Sequence, residues 1–211
     1  MNALAFYRKL ADRPSLTTRE AAQITGLEIP AASMALRRLA AEGLATPLKR
    51  GHWFLGRMPP PPGVLAMVAA DPYLAYLSGW SALRVHGRIQ QIPRRHFAVT
   101  LGRPSECCLA GTQVFLHRMA PVLFGGYESE SGTGGLVASA EKAIFDLAYL
   151  AATQRSRVSA NLPETNLRGL RWSEVKSWVA RIPGASIRTA VRRHLSRIRR
   201  EQGPARFEEL G

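Results

Sequence analysis

Four consecutive prolines, Pro59 to Pro62, followed by Gly63, constrain this chain more than any other feature. Proline has no amide hydrogen to donate and its ring fixes φ, so neither a helix interior nor a sheet interior runs through such a stretch. The run favours extended polyproline geometry and reads as a semi-rigid spacer over residues 59–63. It parts the 211 residues into an N-terminal domain over 1–58 and a C-terminal domain over 64–211. Charge is divided unevenly along the same line. Residues 1–58 carry nine Lys/Arg against four acids, a balance of +5; residues 59–150 carry seven against six, +1; residues 151–211 carry thirteen against five, +8. A basic surface attracts polyanions by releasing their condensed counterions, which makes both ends candidates for nucleic-acid contact. For the C-terminal end, an arginine-rich solvated surface is the competing explanation.

Composition excludes several classes. With 46% apolar and 21% charged residues the chain fits neither a disordered segment nor a membrane protein. No apolar run approaches the roughly 20 residues of a spanning helix. The first ten residues contain Arg8 and Lys9 and no continuous apolar stretch, so no signal peptide is expected. Cys107 and Cys108 are neighbours, a spacing that rarely bridges without strain. The expectation is a cytoplasmic protein without disulfides.

Within the first domain the local signals come in a telling order. Residues 2–12 suggest a helix with Leu4, Tyr7, Leu10 and Ala11 on one side. Thr17-Thr18-Arg19-Glu20 has the pattern of a capping box and opens a short helix over 18–25, with Ala21, Ala22 and Ile24 small enough for close packing. Gly26 supplies the turn, and Pro30 starts a third helix that Gly43 closes after Glu42. Leu36 and Leu39, with Ala32 and Ala40, form its apolar stripe; Ala31, Ser33, Met34, Arg37 and Arg38 form the opposite face. Two apolar segments, 44–48 and 52–55, then flank Lys49-Arg50-Gly51 as a hairpin with a basic tip. The set predicts a winged helix-turn-helix. Small residues let its third helix into a major groove, where arginine pairs with guanine or holds phosphate. The candidate DNA-binding residues are Thr18, Arg19, Ser33, Met34, Arg37, Arg38, Lys49, Arg50 and His52. A winged helix devoted to protein contacts is the alternative.

For the second domain, Asp71-Pro72 has the pattern of a helix start, followed by an apolar run from Tyr73 to Val85 that Gly87 ends. Strand-like segments cover 96–101, 113–117, 122–127 and 136–138. Ser139 caps a helix reaching Thr153, a polar stretch runs from Gln154 to Arg168, and helices follow over 172–181 and 186–201, separated by Pro183-Gly184. The expected fold class is therefore α+β: a winged helix-turn-helix, an α+β domain with a short mixed or antiparallel sheet, and a helical basic C-terminus.

Catalytic signatures are weak throughout. Gly132-Thr133-Gly134-Gly135 lacks the Lys-Ser/Thr of a phosphate-binding loop. Gly79-Trp80-Ser81-Ala82 lacks the closing glycine of a nucleophile elbow. The histidines, at 52, 86, 96, 117 and 194, offer no metal-ligand spacing, so no metal or other cofactor is expected. Glu141 and Asp146 lie about 140° apart around a helix and do not form one carboxylate pair. A non-enzyme is expected, with a nuclease relic using Glu141 or Asp146 as the rival.

Two stretches of the second domain carry a family likeness. Tyr76-Leu77-Ser78-Gly79-Trp80-Ser81-Ala82-Leu83-Arg84-Val85-His86-Gly87, running on through Gln90-Gln91-Ile92-Pro93 to Phe97-Ala98-Val99-Thr100, is one; Ala138-Ser139-Ala140-Glu141-Lys142-Ala143-Ile144-Phe145-Asp146-Leu147 is the other. With the head before them, they resemble the AbiEi-type antitoxins of bacterial toxin–antitoxin systems, although Ala140 stands where that family has proline. The likeness spans about residues 1–150. It implies an antitoxin whose winged head represses its own operon at inverted or direct repeats, and whose second domain counters a nucleotidyltransferase-like toxin, by contact or through function. Read as residues alone, Tyr76, Trp80, Leu83, Ile144, Leu147 and Ala148 are core positions, and direct toxin contact is the alternative.

Over 186–201, Ile187, Ala190, Val191, Leu195 and Ile198 mark an apolar stripe, with Arg188, Arg192, Arg193, Arg199 and Arg200 around the rest. Added DNA backbone contact, an acidic or RNA-containing partner, and a solvated face all fit that helix. A ligand-responsive regulator with a small-molecule-sensing second domain is the rival to the antitoxin reading.

Overall fold

A computed structural model of the chain describes residues 2–57, 59–91, 95–153 and 164–201. The protein is mixed α and β, with a three-stranded and a six-stranded sheet. The first part runs α1 (Ala3–Leu10), β1 (Ser15–Thr17), α2 (Thr18–Thr25), α3 (Ile29–Ala41), β2 (Ala45–Lys49) and β3 (His52–Leu55). Asn2 caps α1, its side chain accepting from the Ala5 amide at 2.8 Å. Phe6 and Leu10, four apart, are the side chains α1 buries; Leu4, expected inside, is 56% exposed. The capping box forms as expected: the Thr17 hydroxyl accepts from the Glu20 amide at 3.1 Å, and the Glu20 carboxylate accepts from the Thr17 amide at 2.7 Å. That amide, then the Thr17 hydroxyl and Arg13, hold the Glu20 carboxyl below its ordinary pKa against the opposing effect of burial. Replacing Thr17 with Ala should destabilise this part by about 1 kcal/mol. Because a lowered carboxyl pKa stabilises only above the unfolded pKa, the loss should shrink as pH falls through the carboxylate range. Thermal melts at pH 7 and pH 3 check both.

Gly26 ends α2 in the left-handed region at φ 71°, which a side chain rarely tolerates. The chain then re-enters helix at α3, whose Ala32, Leu36 and Leu39 have no exposure at all. With Ala21 and Ala22 of α2, Leu16 of β1 and Trp53 of β3 they form the smaller of two hydrophobic cores. Ile24 is not part of it: that side chain points outward, and Thr25 takes the inner position. The strand β1 is too short to show a period in sequence; it pairs antiparallel with β3, Leu16 opposite Trp53.

The second part holds α4 (Pro62–Ala70), β4 (Ala75–Leu77), α5 (Gly79–Val85), β5 (Arg95–Thr100), β6 (Ser105–Leu109), β7 (Thr112–Arg118), β8 (Tyr127–Glu130), β9 (Gly135–Ala138), α6 (Ala140–Thr153), α7 (Trp172–Ala180) and α8 (Ala185–Glu201). The strand order is β6-β7-β5-β4-β9-β8, with parallel pairings at β4/β9 and β5/β7 and antiparallel ones elsewhere. All three residues of β4 are buried, as a central strand covered on both faces requires. On one face, α4 lies across β4, β5, β7 and β9; α5 and α6 cover the other, and α7 and α8 pack behind α6.

Three expectations change here. The run from Tyr73 to Val85 is not one helix, and Asp71-Pro72 does not start it: Tyr73 and Leu74 are exposed, β4 is inserted between β5 and β9, and only α5 is helical. Gly79 makes the strand-to-helix corner at φ 50°, and a Cβ there would meet the Phe97 ring at 2.9 Å. The predicted strand over 122–127 is a 3-10 turn, Pro121–Leu123, with pairing beginning at Tyr127. Finally, α4 begins at Pro62, inside the proline run, with Pro61 as its cap. The turn expected at Ile92-Pro93 and the part of the polar stretch from Gln154 to residue 163 lie outside the described residues.

The two parts touch through the β2–β3 hairpin. Leu48 and Phe54 join the larger core, and the Lys49 ammonium donates to the Val68 carbonyl of α4 at 2.6 Å. Asp71 lies 3.8 Å from that ammonium and 3.3 Å from His52 Nε2. The hairpin therefore sits on the α4 side of the large sheet.

Candidate nucleic-acid interface

Helix α3 presents a surface defined by what its other side buries. With Ala32, Leu36 and Leu39 fixed in the core, Ala31, Met34, Arg37 and Arg38 are exposed and Ser33 is half-buried. Met34 is 56% exposed, and Ile29 at the start of the helix 48%. Arg37 lies one turn beyond Ser33 and Met34, so the three share a face. Exposed apolar and guanidinium groups, with a half-buried hydroxyl between them, are of the kinds that pair with base edges in a major groove: methyl groups, amines and the paired acceptors of guanine.

The remaining head residues sort themselves by their partners. Arg19 is exposed near the start of α2, and Arg50 is exposed at the hairpin tip. Thr18 is half-buried and committed to the fold: its amide donates to the Gly51 carbonyl at 2.8 Å, and its hydroxyl accepts from Trp53 Nε1 at 3.0 Å. Lys49 and His52 face α4 and Asp71, as described above, so the basic tip is carried by Arg50. On α8, Arg192, Arg193, Arg199 and Arg200 are exposed, while Arg188 is half-buried and donates to the Ile182 carbonyl at 3.1 Å.

Inside the second part lies a polar centre that sequence reasoning missed. Lys142, Asp146, Tyr76 and Ser78 are all fully buried. The Lys142 ammonium pairs directly with Asp146, one turn on along α6, and donates to the Tyr76 hydroxyl at 3.0 Å. Tyr76 and Ser78 in turn donate to the other Asp146 oxygen, at 3.1 and 2.7 Å. The ammonium also sits within 4.7 Å of the Trp178 ring centre and 5.1 Å of that of Phe145. Burial pushes the Asp146 carboxyl up and the Lys142 ammonium down, each opposed by the other's charge, and it pushes the Tyr76 phenol up. The i, i+4 spacing was visible in sequence; nothing local distinguished it from a surface pair. Enclosed among rings and helices, the quartet ties α6 to β4 and α7.

Next to it opens a groove of about 700 Å³, lined by His86, Arg88, Tyr127, Glu141, Arg171 and Glu174 among others. Its charges are largely matched. Glu141 accepts from the Arg171 amide at 3.0 Å and its guanidinium at 3.2 Å, contacts that outweigh burial and lower the Glu141 pKa; Arg171 also reaches Glu174 at 2.8 Å. Among the described residues, no three His, Cys, Asp or Glu side chains gather as a metal site, and no helix is long and apolar enough to cross a membrane. No protein-family model matches the chain, and no curated protein matches it.

Proposed function

We propose that residues 1–58 form a winged helix-turn-helix that binds duplex operator DNA, and that the chain is the autorepressing antitoxin of a toxin–antitoxin pair. The observation that carries the DNA reading is the α3 face of exposed Met34, Arg37 and Arg38 with half-buried Ser33, on a helix locked from behind by Ala32, Leu36 and Leu39. In this reading α3 enters the major groove, Arg37 and Arg38 read or position it, and Arg50 rests on the phosphate backbone. The antitoxin role is supported by the AbiEi-like stretches 76–100 and 138–147, whose aromatic and aliphatic residues build the core around β4 and α6. The partner is a nucleotidyltransferase-like toxin. Co-expression with the neighbouring reading frame tests the pairing: rescue of growth supports it, and persistent toxicity with folded antitoxin present refutes it.

The hairpin yields a sharper test. Arg50→Ala should weaken binding to all duplexes and flatten the slope of log affinity against log salt by about 0.9, the value of one lost phosphate contact. Lys49→Ala should leave that slope unchanged and lower the melting temperature instead, because its ammonium is engaged by Val68 and Asp71. Salt titrations of both variants decide which cation meets DNA.

A second reading, a regulator responding to a small molecule, is favoured by the polar groove beside α6. It predicts a compound that changes operator affinity and loses its effect in Arg88→Ala.

A further inference from the structure

Helix α8 has two unlike sides. Val191, Leu195 and Ile198 are buried in the large core, where α8 packs on α6. The remainder holds six arginines, four of them exposed and Arg188 and Arg197 half-buried, against a single acid, Glu201, whose carboxylate lies 3.9 Å from Arg197. At 100° per residue, Arg188, Arg192 and Arg199 fall within about 40° of one another on one flank, and Arg193 and Arg200 within about 20° on the other. Between the flanks lie Thr189 and Ser196, both exposed and short. The arginines from 188 to 199 cover about 16 Å of helix axis. Of these arginines, Arg188 donates to the Ile182 carbonyl and Arg199 lies over the Trp172 ring, 5.6 Å from its centre, while the packing of α8 on α6 is made by the opposite stripe.

Position matters as much as charge. The hairpin of the head rests on α4, on one face of the six-stranded sheet. The Tyr76 hydroxyl reaches through the other face to Asp146 of α6, and α8 lies beyond α6. Hairpin, α4, sheet, α6 and α8 are thus successive layers, with about 10 Å for each packed step. The hairpin and α8 therefore lie on opposite sides of the six-stranded sheet.

We infer that α8 is a second duplex-DNA-binding surface, separate from the head and facing away from it. The major groove is about 12 Å wide and admits a helix, with a phosphate strand on either side. Arg192 and Arg199 meet one strand, Arg193 and Arg200 the other, and Thr189 and Ser196 allow close approach between them. The major groove of duplex RNA is too narrow for this arrangement. The contacts are to phosphate, so the surface binds without regard to sequence. One protein then holds two DNA segments at once, one by each side.

The test uses the full chain and a labelled random-sequence DNA duplex titrated across salt concentrations. The variant Arg192→Gln/Arg193→Gln/Arg199→Gln/Arg200→Gln should bind at least about tenfold more weakly, with a salt slope reduced by roughly 3 to 4. Its melting temperature should fall by no more than a few degrees, because all four side chains are exposed and only Arg199, over the Trp172 ring, touches the packed interior. A head variant, Arg37→Ala/Arg38→Ala/Arg50→Ala, should retain the α8-dependent part of the slope. Parent protein immobilised on one duplex should capture a second, and the α8 variant should not. The inference falls if the α8 variant keeps the parental affinity and slope, if the head variant abolishes all duplex binding, or if duplex RNA alone shows the α8-dependent slope. A head variant that keeps the full parental affinity and slope would instead refute the head's role.

Discussion

Replacing Asp146 with Ala should destabilise the larger core by about 3–5 kcal/mol, the loss associated with leaving a buried partner charge uncompensated. At 2–4 °C per kcal/mol for a protein of this size, the melting temperature should fall by roughly 6–20 °C. The reason is geometric. Lys142 has no exposure, and its ammonium is enclosed by the Tyr76, Phe145 and Trp178 rings, so its counter-charge comes from Asp146 alone among the contacts around it. Tyr76 and Ser78 lose their acceptor in the same substitution. The pKa directions carry a second consequence. A carboxyl raised and an ammonium lowered by burial both mean that ionising the pair inside the protein is less favourable than outside. Lys142→Met with Asp146→Leu removes the uncompensated charge but not the unmet hydroxyls of Tyr76 and Ser78, so it should recover part of what Asp146→Ala loses. Thermal melts of the single and double variants check this; a double variant no better than Asp146→Ala would contradict it.

Replacing Arg37 with Ala should weaken operator binding by about 1–3 kcal/mol, or roughly 5- to 150-fold, and relax sequence preference at one base pair. Arg37 is exposed and one turn from Ser33 on the face opposite Leu36 and Leu39. Its removal leaves the core untouched, so the melting temperature should not move. The contrast with Arg50 is informative: a base contact changes discrimination between sequences, whereas a phosphate contact changes all of them alike. Operator variants changed one base pair at a time, bound by both proteins, separate the two roles. Equal losses on operator and random DNA for Arg37→Ala would remove it from the reading surface.

The legible parts of the fold were those written in neighbouring residues. The capping box at Thr17 and Glu20, the turn at Gly26, the proline at the start of α3 and the basic hairpin tip each state a backbone preference locally. Helix α4 states none: it is apolar on every side, so it has no 3.6-residue period, and the prolines before it read as a spacer although Pro62 is well placed in a first turn. Strand β4 was hidden for the opposite reason. Tyr76, Trp80 and Leu83 fall at helical spacing by coincidence, and only pairing with β5 and β9 reveals the strand. Two facts about the candidate sites were not local at all. Lys49 meets a carbonyl nineteen residues away, and Lys142 is buried by rings from β4 and α7. A cation in sequence is by default a surface charge, and tertiary packing alone reverses that.

The central claim is that α3 reads DNA. Its most direct test is the affinity of the full chain for a duplex spanning the region upstream of its own operon, measured with excess random duplex as competitor. The account predicts a complex that resists the competitor, and whose preference, though not all of its residual binding, disappears in Arg37→Ala/Arg38→Ala. Equal affinity for upstream and random duplex, or a preference unchanged by that substitution, would contradict it.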